Sequence, residues 1–163
     1  QQKLLGNAYF TGAYTLSWSE FSGSDGVRRP SAWDRRHALD LTGGYRVGAW
    51  EFGSKFRILS GLATTPWALT ASAQTYAITG RGVPDWARIG EVRTPGYARL
   101  DLRAERRLDF SSWNAVFYMD LQNVLGRANA VGYGYTEDPA FPERIRPIDG
   151  SGFLPTFGFS IEF

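Results

Sequence analysis

The residues that could do chemistry are concentrated on one side of the stretch 96–110. Arg99, Asp101, Arg103 and Glu105 alternate there with mostly apolar residues. A period of two places these charges on one face of an extended strand. Neighbouring segments continue the pattern and extend the charged face. The predicted charged wall consists of Asp40, Arg46, Glu51, Lys55, Arg57, Arg99, Asp101, Arg103, Glu105, Arg107 and Asp120.

The charged wall has two interpretations. It could line the path of a solute or grip a second domain, or it could form cross-strand ion pairs in a wet interior. Because charges of opposite sign alternate, their fields largely cancel, which gives little support to steering of a charged substrate. We therefore favour ion pairing.

His37 is the only histidine of the chain, and Asp34, Arg35 and Arg36 precede it. As a general base beside a loop serine, His37 would indicate a hydrolase. The sequence has no Gly-x-Ser-x-Gly signature, and one histidine without cysteine does not supply the ligands of a transition-metal site. We therefore expect no enzymatic activity and no cofactor, and we assign His37 to the start of a strand.

Two groups of charged loop residues could either bind a ligand or be solvated by water. Four acidic residues could bind calcium, but their spacing matches no calcium loop, so we expect a solvated acidic loop. These four are Glu137, Asp138, Glu143 and Asp149. Six arginines in or beside loops could pair with lipid phosphates or stay solvated, and both alternatives remain open. These six are Arg28, Arg29, Arg35, Arg36, Arg144 and Arg146.

Composition restricts the kinds of structure that could position these residues. Hydrophobic residues make up 43% of the 163 residues, yet no stretch approaches the roughly 18 apolar residues of a membrane helix. The chain has no cysteine, which excludes disulfides and thiolate metal sites. A net charge of +2, with basic and acidic residues interspersed, gives no support to nucleic-acid binding.

Alternation of apolar and polar residues predicts six long strands. They are expected at about 8–21, 36–47, 50–60, 96–110, 113–124 and 153–163. The last one shows the pattern well, because Phe157, Phe159 and Ile161 alternate with Gly158 and Ser160. Strands of about eleven residues exceed the five or six usual in soluble sheets. This favours an all-β fold, an antiparallel transmembrane β-barrel segment, over a soluble sandwich.

The predicted connections alternate between long loops and short turns. Loops are expected at 22–35, 61–95 and 125–152, with turns at 48–49 and 111–112 and a short hairpin around 75–79. Outer-membrane barrels have long external loops and short periplasmic turns, so this pattern orients every strand. Aromatic residues at the turn ends predict an interfacial girdle. Its members are Phe10, Tyr45, Trp50, Phe110, Trp113 and Phe163.

Five stretches together resemble the C-terminal barrel region of TonB-dependent outer-membrane receptors. They are Trp33–Leu41, Ser60–Pro66, Pro95–Arg103, Asp120–Arg127 and the phenylalanine-terminated last strand. Each stretch alone is weak, but five in the correct order are fairly specific, and they extend over nearly the whole chain. Ala63 is a minor departure, because the family often has proline at that position.

The resemblance implies a barrel of about 22 strands plugged by an N-terminal domain. The plug, and the TonB box that engages the energy-transducing inner-membrane complex, would precede Gln1. We therefore expect 1–163 to be a single barrel segment. About eight strands are the usual minimum for a closed barrel, and eight here would require two more from 61–95. The chain is thus expected to be a fragment of a receptor or a subunit completed by another chain.

The resemblance also implies a function in the bacterial cell outer membrane. The implied activity is import of a scarce solute, and iron chelates, cobalamin, oligosaccharides and peptides remain open as substrates. Implied partners are outer-membrane lipid and lipopolysaccharide, the remaining strands and plug, and the barrel-assembly machinery. Thr156, Gly158, Ile161 and Phe163 resemble the assembly signal which that machinery reads by strand addition. A structural scaffold within a larger complex is the alternative function, and an outer-membrane hydrolase is a remote one.

Overall fold

The structure is a computed structural model that describes residues 2–150 and 152–163. Gln1 and Ser151, a residue of the third predicted loop, lie outside the described residues. In chain order the strands are β1 (Gln2–Leu5), β2 (Ala8–Leu16), β3 (Glu20–Ser22), β4 (Arg28–Pro30), β5 (His37–Val47), β6 (Trp50–Leu59), β7 (Ala63–Thr64), β8 (Val92–Arg93), β9 (Tyr97–Asp109), β10 (Asn114–Gln122), β11 (Gly132–Tyr135), β12 (Ile145–Ile148) and β13 (Leu154–Glu162). One α-helix, α1 (Leu69–Thr79), and a 3-10 helix at Trp86–Arg88 lie between β7 and β8 in the described chain.

Among the described residues, seven strands form one antiparallel sheet. Their order is β1-β2-β5-β6-β9-β10-β13, so each strand pairs with the next one of the sheet along the chain. The sheet is open, with β1 and β13 at its edges. The other strands form two-stranded ribbons, β3–β4, β7–β8 and β11–β12. The fold is therefore mostly antiparallel β, in agreement with the predicted all-β class.

The register keeps the two faces of the sheet distinct. On one face Asp40 lies opposite Arg57, and Arg57 lies opposite Arg99. On the other face Phe117 lies opposite Phe159. Opposite residues of paired strands point to the same side. The charged wall therefore occupies one face of the sheet, and the apolar side chains occupy the other.

Long and short connections alternate, and all the long ones leave the same end of the sheet. Short turns join β1 to β2, β5 to β6 and β9 to β10. The connections from β2 to β5, from β6 to β9 and from β10 to β13 each contain one ribbon. We call these connections the first, second and third loops, and we call their side of the sheet the loop end.

Burial is concentrated at the loop end and not beneath the sheet. On the apolar face, Phe52 is 45% exposed, Phe117 50%, Phe157 72% and Phe159 67%. The largest fully buried side chains of the described residues are polar and lie at the loop end or just beyond it: Asn123, Asp34 and Ser72. The sheet therefore has an exposed apolar face, while the loops supply their own small core.

Two strand predictions need correction. The predicted strand 8–21 ends as β2 at Leu16, because the following serines bond to the segment before β5. The Ser17 hydroxyl donates to the Arg35 carbonyl at 2.7 Å, and the Ser19 amide donates to the Asp34 carboxylate at 2.9 Å. The sheet also has a further strand, β1, which pairs with β2. The second loop adds none to it, since β7 and β8 pair only with each other in the described chain.

The predicted hairpin around Thr75–Thr79 is wrong, because these residues belong to helix α1. The segment contains several alanines and other residues compatible with a helix. Gly80 ends the helix in the left-handed conformation at φ 63°, where its amide donates to the Tyr76 carbonyl. The apolar residues of α1 do not line one face, so the sequence shows no helical period. No helix in the described ranges is long and apolar enough to cross a membrane.

Gly61 joins the sheet to the second loop at a point where two backbones touch. A methyl group at this position would lie 1.7 Å from the carbonyl oxygen of Thr94. The neighbouring Leu62 amide donates to the Thr94 hydroxyl at 3.0 Å, and the Thr94 amide donates back to Leu62 at 2.9 Å. Only glycine therefore permits this pairing at the base of the loop.

The substitution Gly61→Ala is expected to destabilise the loop end by about 2 kcal/mol or more, because the obstacle is backbone and not a flexible side chain. The measurement is the urea midpoint of tryptophan fluorescence in detergent. Gly152→Ala is the matched control, since nothing lies within 4 Å of a methyl group there. An unchanged midpoint for Gly61→Ala would contradict the close contact.

Candidate functional site

A buried carboxylate connects the first and second loops. Asp34 is fully buried and accepts hydrogen bonds from the Ser19 amide and from Arg93, which lies 59 residues away in sequence. Arg93 also donates to the Asp34 carbonyl at 2.9 Å and to the Gly61 carbonyl at 3.0 Å. Arg36 approaches the same carboxylate at 3.2 Å. The Asp34 carboxylate thus binds two arginines and the backbone of the residue that directly precedes β3.

The Ser19 amide lowers the pKa of the Asp34 carboxyl below its usual value. The charges of Arg93 and Arg36 act in the same direction, whereas burial opposes them. A carboxyl whose pKa is depressed on folding stabilises the folded state at every pH above its unfolded pKa, about 3.9. That stabilisation is lost as the pH falls through the folded pKa.

Three loops line a half-open cavity of about 710 Å³ beside this carboxylate. Arg93 lines the cavity, and so do residues from β3, β11 and β12. Aromatic and proline side chains form much of the wall: Phe21, Pro30, Trp67, Pro84, Trp86 and Tyr133. The cavity volume falls within the range of small-molecule sites, about 300–1,000 Å³.

The aromatic wall packs closely against Gly82, where any side chain would clash with its neighbours. A methyl group at Gly82 would lie 2.5 Å from Cβ of Tyr135 and 2.8 Å from the Trp67 ring. Trp67 pairs with Pro84 in an isolated bridge, and Tyr135 packs edge-on against Tyr76 of α1 at 5.1 Å. The second and third loops therefore hold each other through aromatic contacts around Gly82.

His37 lies at the same end of the sheet but outside this cavity. Its Nδ1 is 2.8 Å from the Tyr14 hydroxyl, on the exposed apolar face. The nearby Ser60 hydroxyl accepts a hydrogen bond from the His37 backbone amide at 3.0 Å, so it meets the backbone of His37 and not its imidazole. This position agrees with the strand-start role that we predicted for His37.

The acidic residues of the third loop are spread out and partly paired. Glu137 accepts hydrogen bonds from Tyr135 and Arg144, and Asp138 accepts one from the Ala140 amide at 2.9 Å. Within residues 2–150 and 152–163, no group of three or more His, Cys, Asp or Glu residues is placed to hold a metal ion.

Most of the loop arginines already have protein partners. Arg29 pairs with Asp25 at 2.7 Å, and Arg35 donates to the Ser60 carbonyl at 2.7 Å. Arg36 and Arg144 bind carboxylates of the loops, as described above. Arg28 and Arg146 have no ion pair in the part of the chain that the structure describes, so the two alternatives, pairing with lipid phosphates and solvation, remain open for them.

The charged wall is a set of short ion pairs. Arg57 meets Asp40 at 2.5 Å, and Arg46 meets Glu51 at 2.5 Å. Arg103–Asp120 at 2.8 Å is a further cross-strand pair. Three other pairs join residues two positions apart on β9: Arg99–Asp101 at 2.6 Å, Arg103–Glu105 at 2.9 Å and Arg107–Asp109 at 2.8 Å. Lys55 is the one cation of the wall with no carboxylate within 4 Å in the described chain. This geometry favours ion pairing, partly across strands as we predicted and partly along β9.

The residues of the predicted aromatic girdle lie at the turn end of the sheet. They are Phe10, Tyr45, Trp50, Phe110, Trp113 and Phe163. Phe110 and Trp113 flank the β9–β10 turn and stack at 4.0 Å. Arg106, the one charge on the apolar side of β9, places its guanidinium 5.3 Å from the Trp50 ring centre. A cation–π contact thus accommodates this charge beside apolar neighbours.

The four residues of the predicted assembly signal divide between the two faces of β13. Thr156 and Gly158 belong to the charged face, where they lie opposite Asp120 and Tyr118. A methyl group at Gly158 would be 2.3 Å from the Tyr118 hydroxyl. Packing against Tyr118 therefore favours glycine at position 158, apart from any role in recognition.

A comparison with protein-family models, curated proteins and solved structures found no match for this chain. The resemblance to a receptor family therefore rests on the five stretches themselves. The structure gives several of them a physical role. Asp34 of Trp33–Leu41 and Gly61 of Ser60–Pro66 hold the base of the loops. In Asp120–Arg127, Asn123 ends β10 at φ 53° and donates to the Arg127 carbonyl.

Sequence reasoning missed the residues that build the cavity. Trp67, Trp86, Tyr133 and Arg93 lie far apart in segments of irregular pattern, and no period connects them. The buried role of Asp34 was also missed, although an aspartate directly before two arginines at a strand start is a visible signal. Only the folded loops bring these five residues together.

The substitution Asp34→Asn is expected to destabilise the loop end by about 2 kcal/mol or more at pH 7, because it leaves two arginines without their anion. It should also remove the loss of stability that we expect for the unaltered chain below about pH 4, where Asp34 becomes protonated. Tryptophan fluorescence in urea and in an acid titration measures both effects. Asp25→Asn is the control, because the Asp25–Arg29 pair is more exposed. Equal behaviour of the two variants would refute the role of Asp34.

Proposed function

We propose that this chain is part of a TonB-dependent outer-membrane receptor that imports a scarce solute. It would supply barrel wall, external loops and the C-terminal assembly signal. The observation that carries the proposal is the two-faced sheet, in which an exposed apolar side lies behind a side of ion pairs. The five family-like stretches support the same assignment.

Lipid is the surrounding that best explains the apolar face. Monomeric soluble proteins rarely expose a large contiguous apolar patch, whereas phenylalanines such as Phe117 and Phe159 are at least half exposed here. In hydrocarbon, exposure of these apolar side chains has no free-energy cost. The backbone amides and carbonyls of each strand form hydrogen bonds with the neighbouring strands. The opposite face carries charges that suit a wet interior.

The open edges of the sheet support the proposal that further strands complete it. Edge strands expose unpaired amides and carbonyls, which are costly in hydrocarbon. Strands of the same receptor would satisfy β1 and β13 in the favoured function. Strands of another chain would do so in the second candidate, a scaffold segment within a larger outer-membrane complex. A plug domain encoded upstream of residue 1 would support the receptor and argue against the scaffold.

The proposal predicts a large difference between two adjacent substitutions in β13. Phe157→Lys places a charge on the apolar face, where burial in hydrocarbon costs about 2–4 kcal/mol near the bilayer midplane. Thr156→Lys places the same charge on the other face, opposite Asp120. We expect the first variant to lose insertion into lipid vesicles and the second to retain it, as measured by vesicle flotation.

Two results would contradict membrane insertion. One is equal flotation of Phe157→Lys and Thr156→Lys. The other is a monomeric, folded chain that stays in solution without detergent or lipid. Both experiments use the full chain, and neither depends on transport.

The assembly signal gives a second prediction for cells. Deleting Phe163 should lower the yield of heat-modifiable protein in the outer membrane, because the strand-addition step would lose its terminal aromatic residue. Phe163→Tyr is the matched control and should assemble normally. An unchanged yield on deletion would count against the signal.

A further inference from the structure

The loop-end cavity has walls suited to an organic ligand. Trp67 and Trp86 come from the second loop and Tyr133 from the third, and all three line one cavity of about 710 Å³. Indole and phenol rings offer flat apolar surfaces with negative faces. Such rings bind apolar groups and are especially favourable for cations placed over the ring.

The two charged residues of the cavity differ in how far the protein already satisfies them. Arg93 gives hydrogen bonds to the Asp34 carboxylate and to two backbone carbonyls. Glu143 has no hydrogen bond or ion pair with any described residue, and it is exposed. Its neighbour Arg144 binds Glu137 instead. The cavity charge that has no partner among the described residues is therefore negative.

Arg36, the second cation on Asp34, does not alter this balance inside the cavity. Its guanidinium lies 5.4 Å from the Trp18 ring, and neither residue lines the cavity. The arginine that does line it, Arg93, is held by the fully buried carboxylate. A ligand would therefore meet Glu143 as the available charged group.

We propose that this cavity binds a small amphipathic organic cation. The ammonium group lies near Glu143 and the aromatic rings, and the apolar body packs against the wall formed by Phe21, Ile89 and Val92. The cavity is large enough for a ligand of drug-like size. Binding of the cation does not depend on the proposed function. Its biological role does, and that role would be selection of a cationic solute by the external loops.

The test measures binding of three water-soluble probes to the full chain in a maltoside detergent. The probes are benzyltrimethylammonium, neutral benzyl alcohol and anionic phenylacetate, and titration calorimetry provides the readout. Phosphocholine detergents are avoided because their head groups are themselves quaternary ammonium ions. We expect saturable binding of the cation, about tenfold or more tighter than binding of either other probe.

Two variants locate the site. Glu143→Gln keeps the shape of the side chain and should weaken cation binding about tenfold. Trp86→Ala should weaken it as well, and because Trp86 is 67% exposed we expect little effect on folding. Glu91→Gln is the matched control, because Glu91 pairs with Arg88 outside the cavity. It should bind like the unaltered chain.

Several results would overturn the proposal. They are no saturable binding of the cation, equal binding of benzyl alcohol or phenylacetate, or unchanged affinity in Glu143→Gln or Trp86→Ala. Binding is measured on purified chain, whereas the proposed function is tested by vesicle flotation. A failure of the cavity assignment would therefore leave membrane insertion untouched, and the reverse also holds.

Discussion

The register between neighbouring strands is the constraint on which the rest of the structure depends. A slip of one residue in one pairing would move every side chain of that strand to the opposite face. Arg57 would then leave Asp40 and enter a surface of phenylalanines, while Phe56 would enter the charged wall. Ion pairs such as Arg57–Asp40 add little energy at an exposed surface. Their larger effect is to make the wrong register costly, because an unpaired charge would be transferred to the apolar face.

The same register determines where the loops begin. With β5, β6 and β9 aligned, the end of the first loop and both ends of the second loop lie side by side at the loop end. Asp34 and Arg93 can then meet across 59 residues of sequence. The Asp34 carboxylate is fully buried, and a buried charge is tolerated only when it is well paired. The sheet therefore makes this pair possible, and the pair in turn connects the first two loops at the loop end.

The sheet could be predicted from the sequence because its pattern is local. A period of two in His37–Val47 or Tyr97–Asp109 is visible in ten residues, and the faces and most strand bounds follow from it. The loop end could not be predicted in the same way. Helix α1 carries no one-sided apolar stripe, and its position depends on contacts such as Tyr76–Tyr135. The role of Asp34 and the cavity likewise depend on residues that only tertiary structure brings together.

Under the proposed function, the sheet and the loop end would serve stability and selectivity separately. In the charged wall, nearly every arginine has its own carboxylate, so the wall presents little net field to a passing solute. In the proposed receptor such a wall would suit a conduit, because a solute that bound tightly along it would not leave. Discrimination would then come from a place where a charge has no protein partner and aromatic walls lie close to it. Among the described residues, the loop-end cavity with Glu143 has both properties. Contacts such as Asp34–Arg93 would favour binding at that cavity, since a site loses affinity when its walls must first be ordered.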